Sequence, residues 1–260
     1  MSTRKFLIAG NWKMNLSHAK AVELAQGLVK QFPAGSPAQV ALIPTFVHLE
    51  AVGAIIKGSP MKLGAQDAYF EKHGAFTGEV SCEQLAELAV QYVLVGHSER
   101  RHILHETDSL LNKKLLSVLA GNMTAVLCVG ETLDQRKGNQ TQSVVQTQLQ
   151  HGLAGVPTGA VEQGRLVIAY EPVWAIGTGL TATPEQAQEV HQFIRERLAG
   201  QFGQGLAQSV QIQYGGSVKK ASAHSLLSQP DIDGLLVGGA SLIVEEFAGI
   251  IAAAATAKAA

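Results

Sequence analysis

A carboxylate at the end of an apolar run is the most reactive feature of this chain. Residues 165–169 read as a buried strand, and Tyr170-Glu171-Pro172-Val173-Trp174-Ala175-Ile176-Gly177-Thr178-Gly179 follows it. Pro172 biases Glu171 away from helical backbone, so the strand stops there without a helix starting. The next four residues, Val173 to Ile176, are apolar although they belong to a loop, and Gly177 and Gly179 follow. Two readings stand on these residues: a lid that closes over a ligand, or a loop packed permanently on the core.

Other strand ends carry complementary groups. The first apolar run ends in Gly10-Asn11-Trp12-Lys13, which brings an amide and an ammonium. The fourth ends in Gly96-His97-Ser98-Glu99-Arg100, and Ser98 reads as a helix start. A helix N-terminus disfavours imidazolium, so His97 is expected to stay neutral and donate a hydrogen bond. Most of the other histidines fall on helices or loops with no partner in view. The last two runs end in Gly215-Gly216-Ser217 and Gly238-Gly239, which leave backbone N–H groups uncovered for an anion. Lys13 would add a compact charge for the same ligand. Glu171 opposite His97 suits proton abstraction beside a carbonyl, with Lys13 and Asn11 holding the developing enediolate oxygens.

Eight short β-rich runs position these groups: 6–9, 39–43, 61–65, 92–95, 123–129, 165–170, 210–214 and 232–237. Each is followed by a stretch of helical spacing, as in 19–31 and 110–120. Thr183-Pro184-Glu185 opens another helix with a capping side chain, a first-turn Pro and an acid. Strands alternating with helices imply parallel pairing and right-handed crossovers, and eight units imply a closed (β/α)8 barrel with outer helices, class α/β. The rival is a doubly wound open sheet. It usually has fewer strands and a Gly-rich turn after the first, where this chain has Asn11-Trp12-Lys13. Residues 1–260 are expected to form a single domain, since no linker or charge block divides them. The Ala-rich tail from Ala252 extends the last helix or frays.

Composition narrows the function. A net charge of −1 over 260 residues argues against a nucleic-acid platform. No apolar run approaches the roughly 20 residues of a membrane span, and 6–9 is too short for a signal peptide. Cys82 and Cys128 have no metal-like spacing and fit two free thiols in a reducing cytoplasm. The stretch from Gln66 to Ser81 carries three aromatics, Tyr69, Phe70 and Phe76, without helical period. Such a loop is functional or docks on something.

Taken together, the motifs resemble the triosephosphate isomerase family along the whole chain. They are Gly10 to Asn15, Gly96 to Arg101, Cys128-Val129-Gly130-Glu131, Ala169 to Gly179, Tyr214 to Val218 and Asp233 to Ala240. The resemblance implies a TIM barrel and the glycolytic and gluconeogenic interconversion of dihydroxyacetone phosphate and glyceraldehyde 3-phosphate, without cofactor or metal. It implies Glu171 as base, neutral His97 as electrophile, Lys13 and Asn11 as stabilisers, and Glu99 as a second acid oriented toward Lys13 or the base. Gly177, Ser217, Gly238 and Gly239 would grip phosphate, with 171–180 as the lid. It further implies a homodimer in which loop 66–80 inserts Thr77 beside the other subunit's site. Asp67 departs from the family's usual Asn. Its charge is expected to pair with a basic residue of the partner chain or to weaken the dimer. The alternatives are another sugar-phosphate barrel, either a Schiff-base aldolase using Lys13 or an epimerase, and a non-catalytic phosphate-binding barrel.

Overall fold

The computed structural model describes residues 4–32, 35–177 and 181–257. The strands are β1 Leu7–Asn11, β2 Gln39–Ile43, β3 Met61–Ala65, β4 Tyr92–Val95, β5 Thr124–Val129, β6 Leu166–Tyr170, β7 Gln211–Tyr214 and β8 Gly234–Val237. The helices are α1 His18–Gln31, α2 Leu49–Ile56, α3 Cys82–Glu87, α4 Ser98–His102, α5 Asp108–Ala120, α6 Leu133–Lys137, α7 Thr141–Gly152, α8 Thr158–Glu162, α9 Pro184–Phe202, α10 Gln204–Ala207, α11 Lys220–Leu227 and α12 Val244–Ala253. Every strand pairs in parallel with its sequence neighbours, and β1 pairs with β8 to close the barrel. This is the expected (β/α)8 architecture, with the open sheet excluded by that last pairing.

Alternation along the strands sorts the core into two layers. Leu7 and Ala9 of β1, Leu94 of β4, Val126 and Cys128 of β5, and Val167 and Ala169 of β6 fill the barrel interior. Ile8, Val93, Val95, Leu127 and Ile168 face outward and meet the helices in a larger cluster. The inner layer is small because eight strands enclose room for few side chains, whereas the outer layer covers the whole wall. The same alternation continues past the strand ends, so residues 171 and 130 share the inward parity of 169 and 128.

Local chemistry sets several boundaries. Thr183 caps α9 by accepting the Gln186 N–H, and the Gln186 side chain returns to the Thr183 N–H. The first strand extends to Asn11 rather than stopping at Ala9, since Asn11 still pairs with Ile43. The last helix ends at Ala253, with turns to Ala257. Both cysteines are free and buried. Among the described residues no helix is long and apolar enough to cross a membrane.

His191 is one of the remaining histidines that does have a partner. It is fully buried on α9, its Nδ1–H donates to Asp231 O at 3.1 Å, and the Tyr170 ring meets it edge-on at 5.8 Å. His48 likewise contacts Leu16 O at 3.2 Å. Burial pushes the His191 pKa down to about 4, against the nearby Asp231 carbonyl and Asp233 carboxylate. Between the ordinary histidine value and about 4 the unfolded chain binds a proton that the folded chain refuses. Stability therefore falls as pH falls through that window, by about 3 kcal/mol in full. His191→Phe should flatten this part of the pH dependence in denaturant titrations. A variant with the wild-type slope would show that His191 is not its source.

Candidate active site

The C-terminal ends of the strands open on a cleft of about 720 Å3. Asn11 and Glu171 reach it because they continue the inward parity of β1 and β6. His97 does not share that parity, since Val93 and Val95 face outward. Gly96 solves this with a φ of +75°, a left-handed turn that redirects the chain and brings His97 to the cleft. His97 then caps α4, its Nδ1 accepting the Glu99 N–H at 3.2 Å.

Glu171 is 2 % exposed and held at both oxygens. Oε1 lies 2.9 Å from His97 Nε2, and Oε2 accepts the Ser98 N–H at 2.8 Å. Burial is the largest influence on this carboxyl and raises its pKa. His97, as charge and hydrogen-bond donor, the Ser98 N–H and Lys13 outweigh it and hold the group below its ordinary value. The reciprocal holds for His97. Burial lowers its pKa, but Glu171 lifts it above the ordinary value, opposed by Lys13. The carboxylate thus counters the helix-terminus effect expected from sequence. Cys128, inward on β5, also faces Glu171, and burial first, then that carboxylate, drive its thiol pKa well up.

Lys13 occupies strained backbone, with φ +54°. Three contacts hold it. Its N–H donates to Asn11 Oδ1 at 3.0 Å, Gln66 Nε2 donates to its carbonyl at 2.8 Å, and its Nζ meets Glu99 Oε1 at 2.6 Å. Of the two partners expected for Glu99, Lys13 is the one it bonds. Because Asn11 Oδ1 is occupied, its NH2 is the end left for a ligand.

Across the cleft, Ser217, Gly238 and Gly239 line the wall with Gly177. A side chain on Gly238 would sit 4.0 Å from Lys13 Nζ, in the space between that ammonium and the exposed N–H groups. A 3-10 turn, Gly239–Leu242, starts at the second Gly pair, whereas after Gly215-Gly216-Ser217 the helix α11 begins only at Lys220.

The loop after Glu171 is tied to the protein at its first half. Val173–Ala175 form a 3-10 turn and Ala175 is buried. Glu131, one residue past Gly130, accepts Trp174 Nε1–H at 2.9 Å and Tyr170 O–H at 3.1 Å, while its carbonyl accepts the Val173 N–H at 3.1 Å. Arg136 lies over the Trp174 ring at 5.3 Å. The apolar residues thus have a packing partner, and Gly177 is exposed with φ +69°. Thr178, Gly179 and Leu180 of the expected lid lie outside the described residues.

One expectation needs revision. Asp67 pairs within its own chain, with Lys114 Nζ at 2.7 Å and Arg100 Nη2 at 2.9 Å, so its charge is already matched without a partner subunit. Thr77 is exposed on loop 66–80 and lies outside its own chain's cleft, and its expected place beside a partner's site belongs to the dimer proposed below. Reading strand ends without β3 and β5 also overlooked Gln66 and the anchoring role of Glu131. The signal was available, since both follow a strand closely.

A closed parallel barrel with its ionisable groups gathered at the C-terminal mouth defines a (β/α)8-barrel enzyme. Comparison with known proteins narrows the class to an isomerase. The family model described as "Triosephosphate isomerase" matches residues 6–254. Proteins named triosephosphate isomerase are similar over nearly the full length. The one from Rhodopirellula baltica is 49% identical over 255 residues, covering 98% of this chain and 100% of that protein. The one from Carboxydothermus hydrogenoformans is 50% identical over 248 residues, covering 95% and 98%. The one from Chlorobium phaeovibrioides is 49% identical over 252 residues, covering 96% and 99%. The chain belongs to the triosephosphate isomerase family.

Proposed function

We propose that this protein interconverts dihydroxyacetone phosphate and D-glyceraldehyde 3-phosphate by proton transfer through an enediolate. The observation that carries the reading is Glu171, a buried carboxylate facing a cleft whose other wall includes Ser217, Gly238 and Gly239. In the resting pair His97 Nδ1 already accepts a backbone N–H, which a protonated Nδ1 would repel. A neutral ring with its proton on Nε2 satisfies both neighbours. Substrate draws Glu171 off His97 and the Ser98 N–H. Those bonds lower its proton affinity, so losing them leaves burial to raise it, and the group becomes a better base as it reaches the carbon acid. It carries the proton from one carbon to the next. His97 Nε2–H, the Asn11 NH2 and Lys13 Nζ hold the oxygens. Phosphate is gripped by the N–H groups of Gly177, Gly238 and Gly239 and by Ser217.

Residues 171–180 act as the lid, with Glu131 as the anchor from which it swings. The chain is one domain and works in the cytoplasm, where its two thiols stay reduced. It forms a homodimer. Met14, 93 % exposed, and Val47, 81 % exposed, flank the mouth of the barrel and need cover, as does Phe76 beside Thr77 on loop 66–80. A molar mass of 27.4 kDa by light scattering would refute the dimer. The Schiff-base alternative requires a neutral Lys13, and the 2.6 Å pairing with Glu99 favours the ammonium instead.

Incubation with dihydroxyacetone phosphate in deuterated water tests the reaction. Formation of glyceraldehyde 3-phosphate with deuterium at carbon is expected. Absence of both the product and deuterium uptake would sink the proposal.

A further inference from the structure

The cleft is larger than its proposed substrate. Its volume of about 720 Å3 suits a ligand of drug size, and a triose phosphate is far smaller. Part of the spare room lies past the phosphate grip, where Val218, Lys219, Leu242, Ile243 and Glu246 continue the lining. Lys219 is exposed and Glu246 half-buried. Ile243, 52 % exposed, is apolar like Leu242 and Val218 and gives an anion no hold. The two charged side chains therefore decide what this outer room accepts.

Glu246 belongs to the first turn of α12, yet its carboxylate reaches another helix. Its Oε2 accepts the Lys220 N–H, at the start of α11, at 3.5 Å. The helices lie close enough for this reach because residue 249 of α12 is Gly: a Cβ there would collide with the stem of the Lys220 side chain. The contact is long and neutralises little of the carboxylate's charge. An acid beside a phosphate grip weakens phosphate binding unless it serves another purpose. A first-turn acid does favour the α12 dipole, but Glu245 already supplies one, and it is exposed and outside the cleft lining.

We propose that Glu246 is a specificity-determining residue: its carboxylate closes the outer room of the cleft to ligands that carry a second anionic group beyond the phosphate, the phosphoanhydrides. The inference rests on the phosphate grip of the proposed function. A second phosphoryl group directed inward would meet Glu171, a buried carboxylate. Directed outward, it would meet Lys219, and without Glu246 that ammonium would make the spare room a second anion site. Glu246 balances Lys219, so the outer room carries no net charge. Size alone would admit the larger ligand, and charge turns it away. A phosphate monoester with a neutral carbon chain places nothing ionic there and is accepted.

The test is calorimetric titration of the whole protein with inorganic phosphate and with inorganic pyrophosphate, at low ionic strength so that exposed charges are not screened. Glu246→Gln keeps an oxygen for the Lys220 N–H and removes only the charge. It should tighten pyrophosphate about five- to tenfold relative to phosphate. Glu245→Gln makes the same change in net charge one residue away and should keep the wild-type ratio. Adding Lys219→Gln to Glu246→Gln should cancel the gain, since the ammonium is the group that the second phosphoryl finds. An unmoved ratio in Glu246→Gln overturns the proposal. An equal shift in Glu245→Gln does so too, because the cause would then be the overall field. So does a shift in Glu246→Ala that Glu246→Gln lacks, because the side chain would then only cap α11. A wild type that binds no phosphate would defeat the phosphate grip of the proposed function, and the change in pyrophosphate affinity alone would then decide on Glu246.

Discussion

Glu171→Asp should fold normally and lose turnover by about a hundred- to a thousandfold. The shorter side chain withdraws the carboxylate by one methylene, and misplacement of about 1 Å costs on the order of a hundredfold in a positioned proton transfer. Asp also cannot span His97 Nε2 at 2.9 Å and the Ser98 N–H at 2.8 Å from the same backbone position without moving it. The resting pair should therefore loosen as well. Binding of inorganic phosphate should be almost unaffected, since Ser217, Gly238 and Gly239 belong to the ends of β7 and β8. Steady-state kinetics separate the roles. A raised KM at wild-type kcat would mean that Glu171 binds substrate without moving a proton.

Gly130→Ala should be nearly as damaging, although residue 130 has no reactive group. Gly130 follows β5 with inward parity, and a Cβ there would overlap the Glu171 carbonyl oxygen and carbon. Backbone atoms cannot turn aside as a side-chain end can. Nor can residue 130 retreat, because the Gln148 amide accepts its N–H at 2.7 Å and donates to its carbonyl at 3.1 Å. The strain must move Glu171, whose own N–H is held by Val129 O at 2.7 Å. We expect turnover to fall about a hundredfold or more, with a stability loss of about 1–3 kcal/mol. Denaturant midpoints and kcat should change together, with phosphate affinity largely kept. Wild-type turnover would show that the spacing of β5 and β6 does not set the carboxylate.

The two predictions differ in what makes them readable. Glu171 stands out in the chain by type and place, a carboxylate where a strand gives way to Pro172. Gly130 stands out only as part of a motif, and its reason appears once β5 and β6 lie side by side. Asp67 shows the same limit in another way. Its departure from the family's Asn was visible, but its partners Arg100 and Lys114 are distant in sequence and nothing local names them.

Eight strands and their order were legible because each carries its own apolar run and its own stop. Three of the eight runs match the structure end to end, 39–43, 61–65 and 92–95, and three more, 123–129, 165–170 and 210–214, differ only by one residue at the start. Most remaining differences fall at strand starts, where apolar residues precede the first ladder hydrogen bond. The groups at strand ends were legible for a related reason. Parity along a strand is a local property, so Asn11 and Glu171 could be placed by counting. Tertiary structure alone decided how those groups meet: the Glu171–His97 pairing, the strain at Lys13 held by Gln66, the buried charges around Asp67 and the unprotonated His191. Each depends on the distance between segments far apart in the chain, and on the loss of water between them. Barrel closure sets that distance, and burial sets that loss. Neither is a property of any single segment.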